Sequence, residues 1–275
     1  MQHTDNPDGY VLDRTAAEYE RLKAQAAIWA PLTERVLDKA GMRAGMTVLD
    51  AGCGPCEVMR LMNRRVGTSG HVTGVDIDAE VGAFGLERLN AEEEGNFAFH
   101  SSDLTAGEAV PGAPFDMIYC RFFLLHMDNP VDMVRKLTAM LKPGGTLIAM
   151  DYVLNTMQVA PDEPTLQRGI KLLQDVFAGM GRPLDCGVRL AEYFSQAGLP
   201  MISGSDVEGM LEISGTRPSM LSSVLESLSV PAAKLNLCSE DDMKKLTSDI
   251  RDVAAKGEHV FHWPTVTAVW TRLPE

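Results

Sequence analysis

Residues 48–54 read Val-Leu-Asp-Ala-Gly-Cys-Gly, an apolar run that closes on a carboxylate, Asp50, and passes into a turn containing Gly52 and Gly54. Glycines in such a turn let the backbone pass close beneath a ligand, and the carboxyl end of the first strand is where an open α/β sheet takes its ligand. A second apolar run ends in Gly74-Val75-Asp76, which places an acid where it can accept both hydroxyls of a ribose. Turn and acid together predict a nucleoside-containing cofactor and leave its identity open.

Charge narrows the choice. The third glycine of the dinucleotide fingerprint is absent, with Glu57 in its place. A pyrophosphate at the helix start would be opposed by the carboxylates of Asp50 and Glu57. S-adenosylmethionine (SAM) has no phosphate and carries a sulfonium and an ammonium, so the same carboxylates attract it. The turn therefore favours SAM over NAD.

Other residues suggest competing chemistry. Cys53-Gly54-Pro55-Cys56 spells the CGPC of a thiol oxidoreductase, and a helix start can lower a thiol pKa. Against that reading, a thioredoxin is a much shorter chain and lacks the downstream acids. No second close Cys or His pair completes a tetrahedral zinc set, so no metal is expected. His126 follows the fourth apolar run and titrates near neutral pH, so it is a candidate general base, or else closes the pocket. Arg121 is a candidate positioning residue for a carboxylate, with a surface ion pair as the alternative. Asp151 and Tyr152 end the fifth run and either line an acceptor site or terminate the strand. His259 and His262 read as structural.

The elements that must position these residues follow from periodicity. Apolar spacing predicts a helix over 15–30, a second after Pro31 ending near Gly41, and strands at 47–51, 71–75, 97–99, 115–119 and 146–150. Helical stretches lie between most strands, as at 131–141. Strands alternating with helices mean βαβ units and a doubly wound parallel sheet. After Tyr152 the rhythm changes: helices are expected at 165–180, 188–197, 218–228 and 240–256, with strand character at 201–210 and 266–270. The sixteen methionines read mostly as core.

Composition sets outer limits. The 275 residues carry 25 Lys+Arg against 38 Asp+Glu, a net charge of −13, which argues against nucleic acid and anionic membrane as primary partners. With 45% hydrophobic and 23% charged residues the chain reads as globular, and no apolar run reaches a membrane span. The odd count of five cysteines does not look like a disulfide framework, and the first residues lack a signal-peptide pattern, so a cytoplasmic location is expected.

At this point the sequence resembles the class I SAM-dependent methyltransferases. Residues 48–54 look like their first motif, Asp76 with Ile77 like their ribose acid, and Ser102-Asp103-Leu104 like the loop whose acid meets the adenine amino group. Residues 115–120 resemble their fourth strand, ending in Cys120, and Leu141-Lys142-Pro143-Gly144-Gly145 resembles the turn before the fifth. The landmarks occur in order over roughly residues 45–152. A looser likeness reaches the menaquinone-biosynthesis-like and bacterial natural-product types: Tyr10, Arg21 and Gln25 fall in the N-terminal cover of the SAM pocket, and Arg121 and His126 in the segment after strand four. Cys56 departs from the pattern by replacing the third glycine of the SAM turn.

The resemblance implies a Rossmann-like, mostly parallel seven-stranded sheet with an antiparallel last strand and helical lid insertions. The whole chain is expected to be a single methyltransferase domain: an N-terminal cover (1–44), a SAM-binding core (45–152), lid or acceptor inserts (153–187 and 211–258) and a last strand (259–275). The implied activity is SAM-dependent methyl transfer to a small organic acceptor, with a non-methylating SAM-binding lyase or isomerase as the alternative. Cofactor contacts fall on Tyr10, Arg21, Gln25, Asp50, Gly52, Cys53, Gly54, Asp76, Ile77, Ser102, Asp103, Leu104, Cys120 and Arg121. His126 is the catalytic candidate, the small-molecule acceptor is the expected partner, and homo-oligomerisation is left open.

Overall fold

A computed structural model describes residues 16–215 and 220–275, with side chains described from Leu22 onward. In chain order the strands are β1 (Thr47–Ala51), β2 (His71–Asp76), β3 (Phe97–Ser101), β4 (Phe115–Arg121), β5 (Leu141–Val153), β6 (Gln158–Ala160), β7 (Gly204–Glu208), β8 (Leu211–Ile213), β9 (Val260–His262) and β10 (Thr265–Arg272). The helices are α1 (Ala16–Lys39), α2 (Glu57–Val66), α3 (Ala79–Glu92), α4 (Pro130–Ala139), α5 (Pro164–Gly179), α6 (Cys186–Gln196), α7 (Met220–Ser227), α8 (Ser229–Lys234) and α9 (Glu240–Ala255).

Seven strands form one sheet in the order β3-β2-β1-β4-β5-β10-β7. Strands β1 to β5 pair in parallel, and β10 runs antiparallel to both β5 and β7. This is the doubly wound sheet that the strand–helix alternation predicts, with the antiparallel last strand that the resemblance implies. β1 is central, and Val48, Leu49 and Ala51 are fully buried because both faces of a parallel sheet are covered. Chain order reverses between β1 and β4, so the carboxyl ends of these two strands flank the switch point where such sheets bind ligands.

The described residues group into two compact units. One comprises Leu22–Val153, Asp185–Glu208 and Thr265–Glu275, and so contains the large sheet. The other includes Leu154–Leu184 and Gly209–Pro264. Within it α5, α7 and α9 pack on one another, and β6, β9 and β8 form a small antiparallel sheet. The sequence did not indicate this three-stranded sheet, because its strands are too short to show a period.

Four local expectations need correction. The two helices expected on either side of Pro31 are one helix, α1, which runs through the proline. Pro31 and Ala27 are both exposed, so the missing hydrogen bond lies between two residues on the exposed side of the helix. The stretch Leu141–Gly145, read as a turn before the fifth strand, lies inside β5: Phe115 pairs with Leu141 and Met117 with Thr146, so the extra residues bulge out of the ladder. The strand expected at 201–210 is shorter, Gly204–Glu208. The helix expected from Pro218 is described from Met220, and the stretch after it holds a further short helix, α8.

Of the fifteen described methionines eight are buried, Met59, Met62, Met117, Met133 and Met150 among them, six are half-buried, and Met201 is 90% exposed. Among the described residues no helix is long and apolar enough to cross a membrane.

Candidate cofactor and active site

The site begins where β1 ends. Asp50 pairs in register with Gly74 of β2 and Tyr119 of β4, so its carboxyl sits between the two strands that flank the switch point. It is 1% exposed, and its Oδ2 has no hydrogen-bond partner among the described residues. Burial pushes its pKa up to about 7; the Arg121 guanidinium pulls it back down and the Asp76 carboxylate adds to the rise. A buried oxygen left unsatisfied is costly unless a ligand completes it.

The turn that follows needs its glycines for two different reasons. Gly52 has φ +74°, and a Cβ there would lie 2.5 Å from the Phe123 ring. Gly54, φ +47°, faces space with nothing within 4 Å, as a backbone cradle for a ligand requires. The amides of Gly52 and Cys53 both donate to the Val75 carbonyl, at 2.8 and 3.0 Å, which ties the turn to the end of β2. Cys53 itself points inward: a Cβ on Gly74 would lie 2.8 Å from its Sγ. Burial pushes its thiol well above the ordinary value, opposite to the shift that a redox thiol needs, and all five cysteines are free and buried. Cys56 takes the left-handed conformation at the start of α2, φ 62°, in the place of the usual glycine.

Asp76 ends β2 with both oxygens engaged. Oδ2 accepts from the Gly54 amide at 2.8 Å and Oδ1 from the Asp78 amide at 2.9 Å, so the acid is held beside the glycine turn. Ile77 follows it, half-buried. Across the next strand, the Ser102 amide donates to the Asp76 carbonyl and the Ser102 hydroxyl to Glu108. Asp103 caps the short 3-10 turn Leu104–Ala106 by accepting from the Thr105 amide and hydroxyl at 2.7 and 2.6 Å, and Leu104 is buried beneath it.

The other wall comes from the ends of β4 and β5. Cys120 is buried with its thiol toward the Ile148 carbonyl. Arg121 Nη1 donates to the Thr33 hydroxyl of α1 at 2.9 Å, and its guanidinium lies 5.4 Å from the Phe122 ring centre. Phe122 has φ 53°, a left-handed conformation that a bulky side chain rarely adopts and that clusters at ligand sites. His126 closes the 3-10 turn Leu124–His126 that follows. That turn is anchored by Asp151, whose buried carboxyl accepts from the Leu125 and Tyr152 amides at 3.0 Å each and from the Cys186 thiol. Burial pushes Asp151 up to about 7, and these donors restrain the rise. Gln25 Nε2 donates to the Tyr152 hydroxyl at 2.6 Å, and Trp29 meets Phe122 and Tyr152 edge-on.

Asp50, Gly52, Cys53, Gly54, Asp76, Ile77, Ser102, Asp103, Leu104, Cys120, Arg121 and His126 thus all lie at the carboxyl ends of β1 to β4, with Gln25 joining from α1. Tyr10 lies outside the described residues, as does the side chain of Arg21. Sequence reasoning missed Trp29, Thr33 and Phe122 as members of this cluster. The helical period marked Trp29 only as apolar, and no residue pattern announces a phenylalanine with positive φ.

A family model described as a methyltransferase domain matches residues 42–181, half of the chain. The chain belongs to the methyltransferase-domain family. The chain is 33% identical over 112 residues to the ubiquinone biosynthesis O-methyltransferase of Aeromonas salmonicida, covering 40% of this chain and 44% of that protein. To the ubiquinone/menaquinone biosynthesis C-methyltransferase of Hahella chejuensis it is 29% identical over 148 residues, 52% of this chain and 58% of that one. The chain thus spans about half the length of these curated relatives. Its fold is shared with a phosphoethanolamine N-methyltransferase of Haemonchus contortus, solved with phosphomonomethylethanolamine and S-adenosylhomocysteine: TM-score 0.51, 17% identity, 89% of this chain and 53% of that one.

The site of this methyltransferase domain fits SAM on its own geometry. The unsatisfied Asp50 oxygen offers a buried acceptor for a cationic donor, and the uncovered side of Gly54 offers the backbone approach. A pyrophosphate would meet the same carboxylate as repulsion.

Proposed function

We propose that the protein is a SAM-dependent methyltransferase acting on a small organic acceptor in secondary or cofactor metabolism. The observation that carries this reading is the unsatisfied, buried Asp50 carboxyl at the switch point. When bound, SAM supplies an activated methyl group, so the chain's work is to bind, align and keep water out.

In this reading Asp76 and Ile77 hold the ribose end, and Ser102, Asp103 and Leu104 the adenine. Gly52, Cys53 and Gly54 admit the methionine portion with their backbone, Asp50 meets its cationic groups, and Cys120 and Arg121 close the pocket floor beside them. Gln25 contributes from α1. His126 is the base that takes a proton from the acceptor where that acceptor is protonated. Phenol- or quinol-type acceptors come first in line, because the relatives act in quinone biosynthesis by name. Five free thiols suit a reducing, cytoplasmic location.

The test is titration calorimetry with SAM and with S-adenosylhomocysteine, followed by incubation with methyl-labelled SAM and a panel of catechols, benzoquinols and primary amines. Saturable binding and a labelled product are expected. Absence of binding, or binding with no label passing to any acceptor, would overturn the assignment.

A further inference from the structure

Thr33 of α1 is fully buried among groups that belong to the cofactor site, although nothing in its sequence context marks it. Its Oγ1 accepts from Arg121 Nη1 at 2.9 Å and lies 3.3 Å from the Tyr119 hydroxyl, which in turn donates to Met150 Sδ at 3.2 Å. The direction of the chain is set by these ends. The Tyr119 proton points to the sulfur, so the Thr33 proton is given to the Tyr119 oxygen, and the Thr33 lone pairs are left to receive the guanidinium. Arg121 thereby acquires a fixed position at the end of β4.

Asp50 faces Tyr119 across the β1–β4 ladder, and Arg121 lies two residues further along β4 on the same face, where its guanidinium acts on Asp50. Among the described residues, the other titratable groups that sense the Asp50 charge are Asp76 from β2, Cys53 from the turn, and Tyr119 and Cys120 from β4, and none of these four is cationic. Asp50 is buried, and burial opposes its charge, so the place of the guanidinium biases the acid toward the carboxylate.

We propose that Thr33 is a positioning residue for the cofactor, acting through Arg121: its hydroxyl holds the guanidinium near Asp50, so that Asp50 meets the cofactor's cation as a carboxylate. The proposal rests on the SAM reading above and adds to it a residue on a different element. It makes cofactor affinity depend on pH in a defined way. Binding requires the ionised acid, so affinity falls as pH drops through the Asp50 midpoint, and releasing Arg121 moves that fall to higher pH.

The experiment is calorimetric titration of SAM and S-adenosylhomocysteine from about pH 6 to pH 9 with the wild type, Thr33→Val, Thr33→Ser and Arg121→Gln. Valine keeps the shape and removes the hydroxyl. A midpoint moved up by about one pH unit makes Thr33→Val about fivefold weaker at pH 7, converging on the wild type near pH 9. Thr33→Ser restores the wild-type profile, and Arg121→Gln reproduces the displaced one. Thr33→Val with an unchanged profile, or weaker by the same factor at every pH, would overturn the proposal. If Thr33→Val does not fold, an undisplaced profile in Arg121→Gln overturns it instead. A wild type that binds neither ligand defeats the SAM reading itself, a result distinct from either of these.

Discussion

The Phe122 and Tyr152 rings stack with centroids 3.9 Å apart and planes 4° from parallel, joining the end of β4 to the end of β5. The stack holds Phe122 in its left-handed conformation, and Gln25 of α1 fixes the Tyr152 hydroxyl from above. Tyr152→Phe keeps the stack and loses one hydrogen bond, so a cost of about 1 kcal/mol is expected. Tyr152→Ala removes the ring as well and is expected to cost about 3 kcal/mol. Urea denaturation of the two variants checks the order, and equal losses would show that the stack contributes nothing.

Gly52→Ala places a Cβ 2.5 Å from Phe123 at a φ of +74°. Both effects act at the turn to which the proposed function assigns the methionine portion of the cofactor. A loss of about 2 kcal/mol in stability is expected, together with at least tenfold weaker SAM binding in calorimetry. Gly54→Ala, whose Cβ meets nothing of the protein, is expected to leave stability less affected and to reduce binding as strongly.

Asp50 and Asp151 both carry a pKa raised to about 7 by burial, above the 3.8 of an ordinary aspartate. The native state therefore holds more protons than the unfolded chain between about pH 4 and pH 7, and the ligand-free protein loses stability as pH rises through that window. Asp50→Asn removes one of the two contributions. It is expected to be less destabilised than the wild type on going from pH 5 to pH 8, by a few kcal/mol at most, on the order of 1.4 kcal/mol per pH unit of displacement. It is also expected to bind SAM poorly. Urea midpoints at the two pH values decide the matter, and an unchanged pH slope would refute it.

His126→Gln tests the proton-accepting role. If the acceptor is protonated, methyl transfer at neutral pH is expected to fall by about a hundredfold or more while S-adenosylhomocysteine affinity stays within about twofold. Parallel loss of binding and transfer would instead make His126 a wall of the pocket.

Cys53 lies under the turn with its thiol against Gly74. Labelling by iodoacetamide is expected to be slow in the native protein and slower still with SAM bound, because the ligand covers the turn. Equal labelling rates with and without SAM would remove the link between this thiol and the cofactor.

The cofactor half of the site was legible in the sequence because its signals are local. Asp50, Gly52, Gly54, Asp76 and Asp103 each sit within a few residues of a strand end, and strand ends follow from apolar runs bounded by glycine and acids. CGPC was ambiguous for the same reason: four residues describe a turn equally well in two chemistries; chain length and the downstream acids argued against the redox one, and the burial of both thiols adds to that.

What the tertiary structure alone decided are relationships across large separations in sequence. Gln25 meets Tyr152, Thr33 meets Arg121, and Asp151 anchors the turn bearing His126. No periodicity links such pairs, because each depends on how α1 crosses the strand ends and on the register of β4 against β5. The passage of α1 through Pro31 and the bulge that absorbs Leu141–Gly145 into β5 belong here too: packing and pairing outweighed the local preference for a break or a turn. The sequence by itself determined the sheet and the strand ends at which its carboxylates gather; the fold decided which distant residues meet them, since desolvation and guanidinium placement are properties of packing rather than of neighbouring residues.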